Sequence, residues 1–139
     1  MFNVSRTTGL YALLFSCSLL LTSQACAFDL NGAWATGTDQ CKQVFVKKGD
    51  KITFAQFSEE YGNGFIADGN EVRGKATRCT ITSRKETGDT IDFRAACASD
   101  IVATSTNLRL KILDANSVSR IFTDPDMAGM ELTFYRCSM

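Results

Sequence analysis

After a first apolar run, hydrophobic residues alternate with polar ones in short segments, and no segment beyond residue 27 has a helical period. The segments are rich in β-branched and aromatic residues, and Gly, Asn and Asp separate them about every ten residues. This spacing is typical of an all-β domain, so we predict a small antiparallel β-barrel or sandwich of about eight strands. The predicted strands are 31–36, 41–47, 51–57, 71–83, 90–98, 106–113, 117–123 and 130–137.

The first residues follow the order of a secretory signal peptide. One basic residue, Arg6, precedes an apolar run over residues 9–21. That run is shorter than the about 20 residues that a membrane-spanning helix needs, so we expect no retained membrane anchor. Ala25 and Ala27 place small side chains where signal peptidase reads them, which predicts cleavage after Ala27.

An alternative for the same segment is a lipoprotein signal with Cys26 as the acylated first residue. The residue three positions before it is Ser23 rather than the usual Leu, which favours ordinary cleavage. We therefore expect residues 1–27 to be a signal peptide and residues 28–139 to form one periplasmic or secreted domain. That domain has 14 basic and 15 acidic side chains, and this balance favours no nucleic-acid partner.

Cleavage removes two of the six cysteines and leaves Cys41, Cys79, Cys97 and Cys137. An even number of cysteines in a small exported domain predicts disulfides, with three connectivities to choose from. A metal site is disfavoured, because no two cysteines form a C-x-x-C pair and the chain has no histidine.

The alternation of apolar and polar residues predicts the register of one hairpin, and that register predicts how the cysteines pair. A hairpin centred on Gly88 pairs Ile81 with Ala95 and Ser83 with Phe93, and it also brings two cysteines opposite each other. A slip by one residue would turn every side chain to the other face, so the two signals support one register. We therefore predict the disulfides Cys79–Cys97 and Cys41–Cys137.

The composition excludes most catalytic chemistry. Without histidine there are no common triads, no Cys-His dyads and almost no catalytic zinc sites. Phosphate-binding and dinucleotide-binding motifs are also missing. The acidic pairs Glu59-Glu60 and Asp124-Pro125-Asp126 fit solvated loops and turns. We expect no enzyme, no catalytic residue, no metal and no cofactor.

The expected mature domain begins with residues 29–34, DLNGAW, which put Gly-x-Trp on the first predicted strand. This opening resembles that of lipocalin-type barrels and that of some small bacterial envelope inhibitors of proteases. In lipocalins the tryptophan plugs one end of the barrel, and a basic side chain near the end of the last strand lies across it. The resemblance implies that Trp34 and Arg136 have these roles here, with a cation–π energy of about 0.5–2 kcal/mol.

Arg120 alternates with Val118 and Phe122 and so falls on an otherwise apolar face. An inward arginine needs a carboxylate or carbonyl partner. We favour a bulge or an edge position that lets its guanidinium reach water. The phenylalanines of the strands are expected to fill the core rather than line a ligand cage.

The segment 59–70, which contains a glycine-rich loop, offers a contact surface. Its Asn-Gly and Asp-Gly pairs predict a short hairpin, and it carries Tyr61 and Phe65. Such a pair can anchor an interface or tuck under the loop, and the sequence leaves both open.

Small size, disulfides and missing catalytic groups favour a non-catalytic binding module that recognises or inhibits a protein partner in the envelope or outside the cell. Because the chain is shorter than a typical lipocalin, we expect its interior to be filled. One alternative is a carrier of a small apolar molecule, which requires an internal cavity of about 300 Å³ or more. Another is a weak hydrolase with two carboxylates converging in a cleft. The sequence does not identify the partner or the oligomeric state.

Overall fold

The structure is a computed structural model that describes residues 26–139. Its strands are β1 (Gly32–Ala35), β2 (Phe45–Lys48), β3 (Lys51–Phe54), β4 (Gly64–Asp68), β5 (Glu71–Arg73), β6 (Arg78–Thr87), β7 (Thr90–Ala98), β8 (Ala103–Asp114), β9 (Ser117–Ile121) and β10 (Glu131–Arg136). Its helical segments are the short helix α1 (Cys41–Val44) and the 3-10 turns Thr38–Gln40, Ser58–Glu60 and Pro125–Met127.

Eight strands close into an antiparallel barrel in the order β1-β10-β9-β8-β7-β6-β5-β4, and β4 pairs back with β1. The strands β2 and β3 form a separate hairpin. Because each strand of a closed barrel has a neighbour on both sides, the barrel leaves no sheet edge. The all-β prediction is confirmed, and of the two architectures that the sequence left open the chain adopts the barrel.

Two predicted strands form differently. The segment 41–47 begins as helix α1, because a helical turn lets Cys41 and Val44, three residues apart, bury their side chains on one side. The segment 71–83 is divided between β5 and β6 by a turn at residues 74–77. Both differences are local turns that a pattern of alternating hydrophobicity does not reveal.

The glycine-rich segment 61–70 contributes more than the expected short hairpin. It supplies β4, which pairs with β1 on one side and with β5 on the other. The turn between β4 and β5 contains Gly69 at φ 58°, a left-handed conformation that glycine adopts without strain. The segment is therefore part of the barrel wall and not a free loop.

Strand β1 is buried on both faces. Trp34 points into the barrel, whereas Ala33 and Ala35 face outward, and all three are fully buried. Helix α1 and the β2–β3 hairpin cover β1 from outside, and the small alanines let this second layer approach. Gly64 of β4 helps in the same way, since a Cβ there would lie 2.7 Å from Phe45 Cζ. An interior cluster and an outer cluster thus share β1 as a wall.

The structure contains both disulfides that the sequence analysis pairs. Cys79 and Cys97 face each other across β6 and β7. Cys41 in α1 is bonded to Cys137, which follows β10 and lies 96 positions further along the chain. Closing a loop of this length stabilises a fold by about 4–5 kcal/mol in the chain-entropy model. Such bonds are consistent with an oxidising environment.

The register of the β6–β7 hairpin follows the prediction near the disulfide and departs from it toward the turn. Ile81 lies opposite Ala95, as predicted. A shift between Ile81 and Ser83 then puts Ser83 opposite Arg94, so its predicted pairing with Phe93 is wrong. The cause is an additional residue in β6, a bulge that turns the rest of the strand by one position.

The expected signal peptide, residues 1–27, lies almost entirely outside the described residues. Only Cys26 and Ala27 of that segment are described. The junction between Ala27 and Phe28, where cleavage is predicted, is therefore included in the structure. Within residues 26–139, no helix has the length and apolar character needed to cross a bilayer.

Candidate functional site

One end of the barrel is closed around Trp34. Its ring is fully buried and stacks on Phe65, with ring centroids 5.9 Å apart. The guanidinium carbon of Arg136 lies 4.3 Å from the indole centroid, so this cation covers the ring from the end of the last strand. Trp34 and Arg136 thus have the mutual position that the lipocalin resemblance implies for them.

The segment before β1, residues 28–31, lies across this closed end. Four consecutive carbonyl groups of the segment accept hydrogen bonds from side chains of the barrel. Arg84 donates to Phe28, Trp34 Nε1 to Leu30 at 2.8 Å, and Arg136 to both Asn31 and, at 2.6 Å, Asp29. Because every carbonyl of the segment is bound, its backbone is fixed in place and this end of the barrel is sealed.

A cavity of about 560 Å³ enters the barrel beside a packed interior cluster that includes Ile91 and Phe134. The interior is therefore only partly filled, and the expectation of a filled core is met only in part. The largest aromatic side chains gather near the closed end, where Phe65 and Phe134 contact each other with ring centroids 5.1 Å apart. Small residues also line the cavity, among them Ala95 of β7 and Thr106 of β8.

The cavity is apolar along its walls and polar at its mouth. Ile81, Leu108 and other aliphatic side chains of the strands form the walls. Asn63 and Thr77, which also border the cavity, belong to the turns that lead into β4 and β6. Those turns are at the end away from Trp34, so the cavity opens opposite the closed end.

Two charged side chains line the cavity, Lys75 and Arg120, and both are basic. Lys75 is engaged at the mouth, where its ammonium donates to the carbonyl of Ala55 at 2.7 Å and lies 3.4 Å from the carboxylate of Glu59. The pKa of Glu59 is lowered, first by a hydrogen bond from a backbone N–H and then by the Lys75 ammonium. Among the described residues, no acidic side chain lines the cavity.

Arg120 faces the cavity from the middle of the sheet. Its neighbours across β8 and β10 are Leu110 and Leu132, and both also line the cavity. Arg120 is paired on both sides, so the expected bulge or edge position is not there, although the side chain is partly exposed as expected. The guanidinium lies 4.5 Å from the centroid of the Phe122 ring and has no ion pair or hydrogen bond with any described residue.

The two candidate contact residues, Tyr61 and Phe65, do not form a common surface. Tyr61 is 45% exposed in the turn before β4. Phe65 lies in β4 opposite Trp34, and the alternation of the strand turns its ring into the barrel. Of the two arrangements that the sequence left open, Phe65 tucks inward and only Tyr61 is on the outside.

Large apolar side chains are exposed on loops at the open end. Ile101 and Val102, between β7 and β8, are 91% and 55% exposed. Met130, between β9 and β10, is 56% exposed. The sequence analysis missed these residues, although apolar residues inside a connection between two strands are the signal that marks them.

No three histidine, cysteine, aspartate or glutamate side chains come together as a metal-binding group within the described part of the chain. Comparisons with protein-family models, with curated proteins and with solved structures find no match. What this site does is therefore inferred from its cavity and from the residues that line it.

Proposed function

We propose that this protein is an exported, non-catalytic barrel that binds a small apolar molecule in its interior. The observation that supports this proposal is the cavity of about 560 Å³. Its volume is within the range of about 300–1,000 Å³ that is typical of small-molecule sites. The carrier hypothesis requires such a cavity, whereas a filled core would have excluded it.

The shape of the barrel suits a ligand that enters and leaves by one route. The closed end is sealed by Trp34 and residues 28–31, so the mouth near Asn63 and Thr77 is the path to the interior. A ligand that buries about 300 Å² of apolar surface in the cavity gains about 7 kcal/mol before the entropy of association is subtracted. That gain is enough for reversible binding.

The proposal includes no reaction on the ligand. Carboxylate-dependent hydrolysis needs two acidic groups at the substrate, and among the described residues the charged side chains that line the cavity, Lys75 and Arg120, are both basic. A binding role in the periplasm or outside the cell agrees with the two disulfides, which are stable in an oxidising compartment.

The experiment is a fluorescence titration with the neutral apolar probe N-phenylnaphthylamine. Ala95 points into the cavity, while the next residue of β7, Ala96, is exposed on the outer face. We expect saturable binding by the wild-type domain, at least a tenfold weaker affinity for Ala95→Phe because its ring occupies the cavity, and an unchanged affinity for Ala96→Phe. Circular dichroism and the melting temperature confirm that both variants are folded.

Two results would contradict the proposal. One is a wild-type domain that shows no saturable probe binding. The other is equal binding by Ala95→Phe and Ala96→Phe, which would place the probe on the outer surface.

A second candidate function is recognition of a protein partner, which is favoured by the exposure of Ile101 and Val102 at the open end. If these loops bind a partner, crosslinks formed in envelope extract will be lost when both residues are changed to Asp. The control is Leu113→Asp, an apolar residue that is 49% exposed near the β8–β9 turn at the other end. Identical crosslinks in all three proteins would exclude these loops as the contact.

A further inference from the structure

One basic side chain lines the cavity without a polar partner among the described residues. Arg120 lies between Leu110 and Leu132 on the cavity wall, and its guanidinium packs on Phe122 without an ion pair or hydrogen bond to any described residue. Arg120 is partly exposed, and no side-chain nitrogen of the described residues is buried without a partner, so water satisfies its donors until a ligand group replaces that water. The guanidinium is thus a hydrogen-bond donor on the cavity wall, and no described residue accepts a hydrogen bond from it.

The charges that line the cavity indicate which charge a ligand group beside Arg120 should carry. Lys75 is the second charged lining residue, and it already contacts the carboxylate of Glu59 and the carbonyl of Ala55. No acidic side chain of the described residues faces the cavity, so the field inside favours an anion. A planar guanidinium matches a carboxylate or a similar oxyanion through paired N–H donors.

We propose that the ligand is an amphiphile with an apolar body and a single anionic head, and that the head binds Arg120. The apolar walls of the cavity receive the body, while the guanidinium turns from the Phe122 ring to the head group. This proposal rests on the proposed function, because it names the class of ligand for the same cavity.

The test compares laurate with its neutral relatives, methyl laurate and dodecanol, as competitors of bound N-phenylnaphthylamine. In the wild-type domain we expect laurate to compete at least about tenfold better than either neutral compound, since a charge-assisted hydrogen bond is added. Arg120→Met should remove this preference, which is read within each variant as the ratio of the affinities for laurate and methyl laurate. Arg120→Lys should retain part of it, because the charge remains but the paired donors do not.

Arg94→Met is the matched control, because Arg94 is exposed on the outer face of β7 and its loss should preserve the preference for laurate. If the probe binds but laurate competes no better than methyl laurate, the anionic head is refuted while the apolar site stands. If Arg120→Met keeps the preference, the head binds elsewhere and the proposal is equally refuted. If the wild-type domain does not bind the probe at all, the proposed function fails together with this inference.

A different observation concerns Phe28, the first residue of the expected mature domain. Its backbone nitrogen lies 3.3 Å from Glu86 Oε2, its carbonyl accepts a hydrogen bond from Arg84, and its ring is 6.2 Å from that of Trp34. Glu86 has a second partner in Arg84, whose Nε donates to its other oxygen at 2.8 Å. The carboxylate of Glu86 thus lies beside the backbone nitrogen of Phe28, which becomes a charged α-ammonium when the signal peptide is cleaved after Ala27.

We infer that processing of the chain completes the closed end of the barrel. Hydrolysis of the peptide bond between Ala27 and Phe28 by a signal peptidase consumes one water, leaves a carboxylate on Ala27 and leaves an α-ammonium on Phe28. That ammonium replaces a neutral amide as the partner of Glu86, so a hydrogen bond becomes an ion pair. The mature amino terminus then holds residues 28–31 across the end more firmly than the precursor does.

Intact mass spectrometry of the exported protein should give a chain that begins at Phe28. A double-mutant cycle then combines the free or N-acetylated terminus with Glu86 or Glu86→Gln. We expect acetylation to lower the melting temperature of the wild-type domain and to have little further effect in the Glu86→Gln protein. Glu71→Gln, which alters an ion pair with Arg73 elsewhere on the barrel, should leave the effect of acetylation intact.

Additive effects of acetylation and Glu86→Gln would show that the two groups do not interact. A mature chain that begins at another residue, or that carries a lipid on Cys26, would refute the inference at its first step. Neither result concerns the cavity, so this inference is tested independently of ligand binding.

Discussion

Replacing Arg136 by Met tests the closed end of the barrel most directly. The substitution keeps an apolar stem but removes the cation above Trp34 and the hydrogen bonds to the carbonyls of Asp29 and Asn31. The cation–π contact is worth about 1 kcal/mol and each hydrogen bond about 1 kcal/mol net, so we expect a loss of about 3 kcal/mol. For a domain of this size, that loss corresponds to a melting temperature lower by about 12 °C.

The assay is thermal and urea unfolding, followed by the fluorescence of Trp34. In the folded Arg136→Met protein we also expect emission shifted to the red, because water reaches an indole that is fully buried in the wild type. Arg78→Met is the control, since the side chain of Arg78 is 68% exposed and its loss should be nearly neutral. A change in stability below about 0.5 kcal/mol for Arg136→Met would refute the assigned role of this arginine.

Two further substitutions probe the barrel wall and a turn. Gly64→Ala should lower the free energy of unfolding in urea by about 1–3 kcal/mol, because its Cβ would lie 2.7 Å from both Phe45 Cζ and the carbonyl oxygen of Trp34; wild-type stability would refute that contact. Asp114→Asn concerns acid stability, because hydrogen bonds from the Ser117 side chain and then from the Asn116 N–H hold the pKa of Asp114 below its ordinary value. Its stabilising effect is therefore present at neutral pH and is lost as the pH falls through the lowered pKa. The melting temperature of Asp114→Asn should therefore lie below that of the wild type at neutral pH and approach it in acid, and a gap independent of pH would contradict this reasoning.

Alternation along the strands was sufficient to predict the all-β class and much of the wall. Strand β7 has the predicted bounds, 90–98, because apolar and polar residues alternate along its whole length. The pairing of Cys79 with Cys97 followed from the same alternation. Helix α1 and strand β4 were missed because each is only a few residues long, and glycine and turn pairs surround β4.

The cavity could not be predicted from the sequence. Phe93 and Leu108 have the pattern of ordinary core residues, and the structure does place them inside the barrel. A strand pattern shows which side chains point inward, but the distance to the opposite wall is determined by the number and tilt of the strands. The same holds for Arg120: alternation placed it on an apolar face, but a bulge or edge position was favoured, and the lack of a partner depends on every other strand.

The β2–β3 hairpin shares no strand pairing with the barrel, although it covers β1 from outside. Side-chain packing, with the bond between Cys41 of the adjoining helix α1 and Cys137, holds it against the barrel, so its attachment does not depend on strand pairing. Amide protons of the hairpin are therefore expected to exchange with deuterium sooner than those of β6 to β8. Breaking the Cys41–Cys137 bond alone is therefore expected to loosen this outer layer first, because the Cys79–Cys97 bond belongs to the barrel wall and lines the cavity.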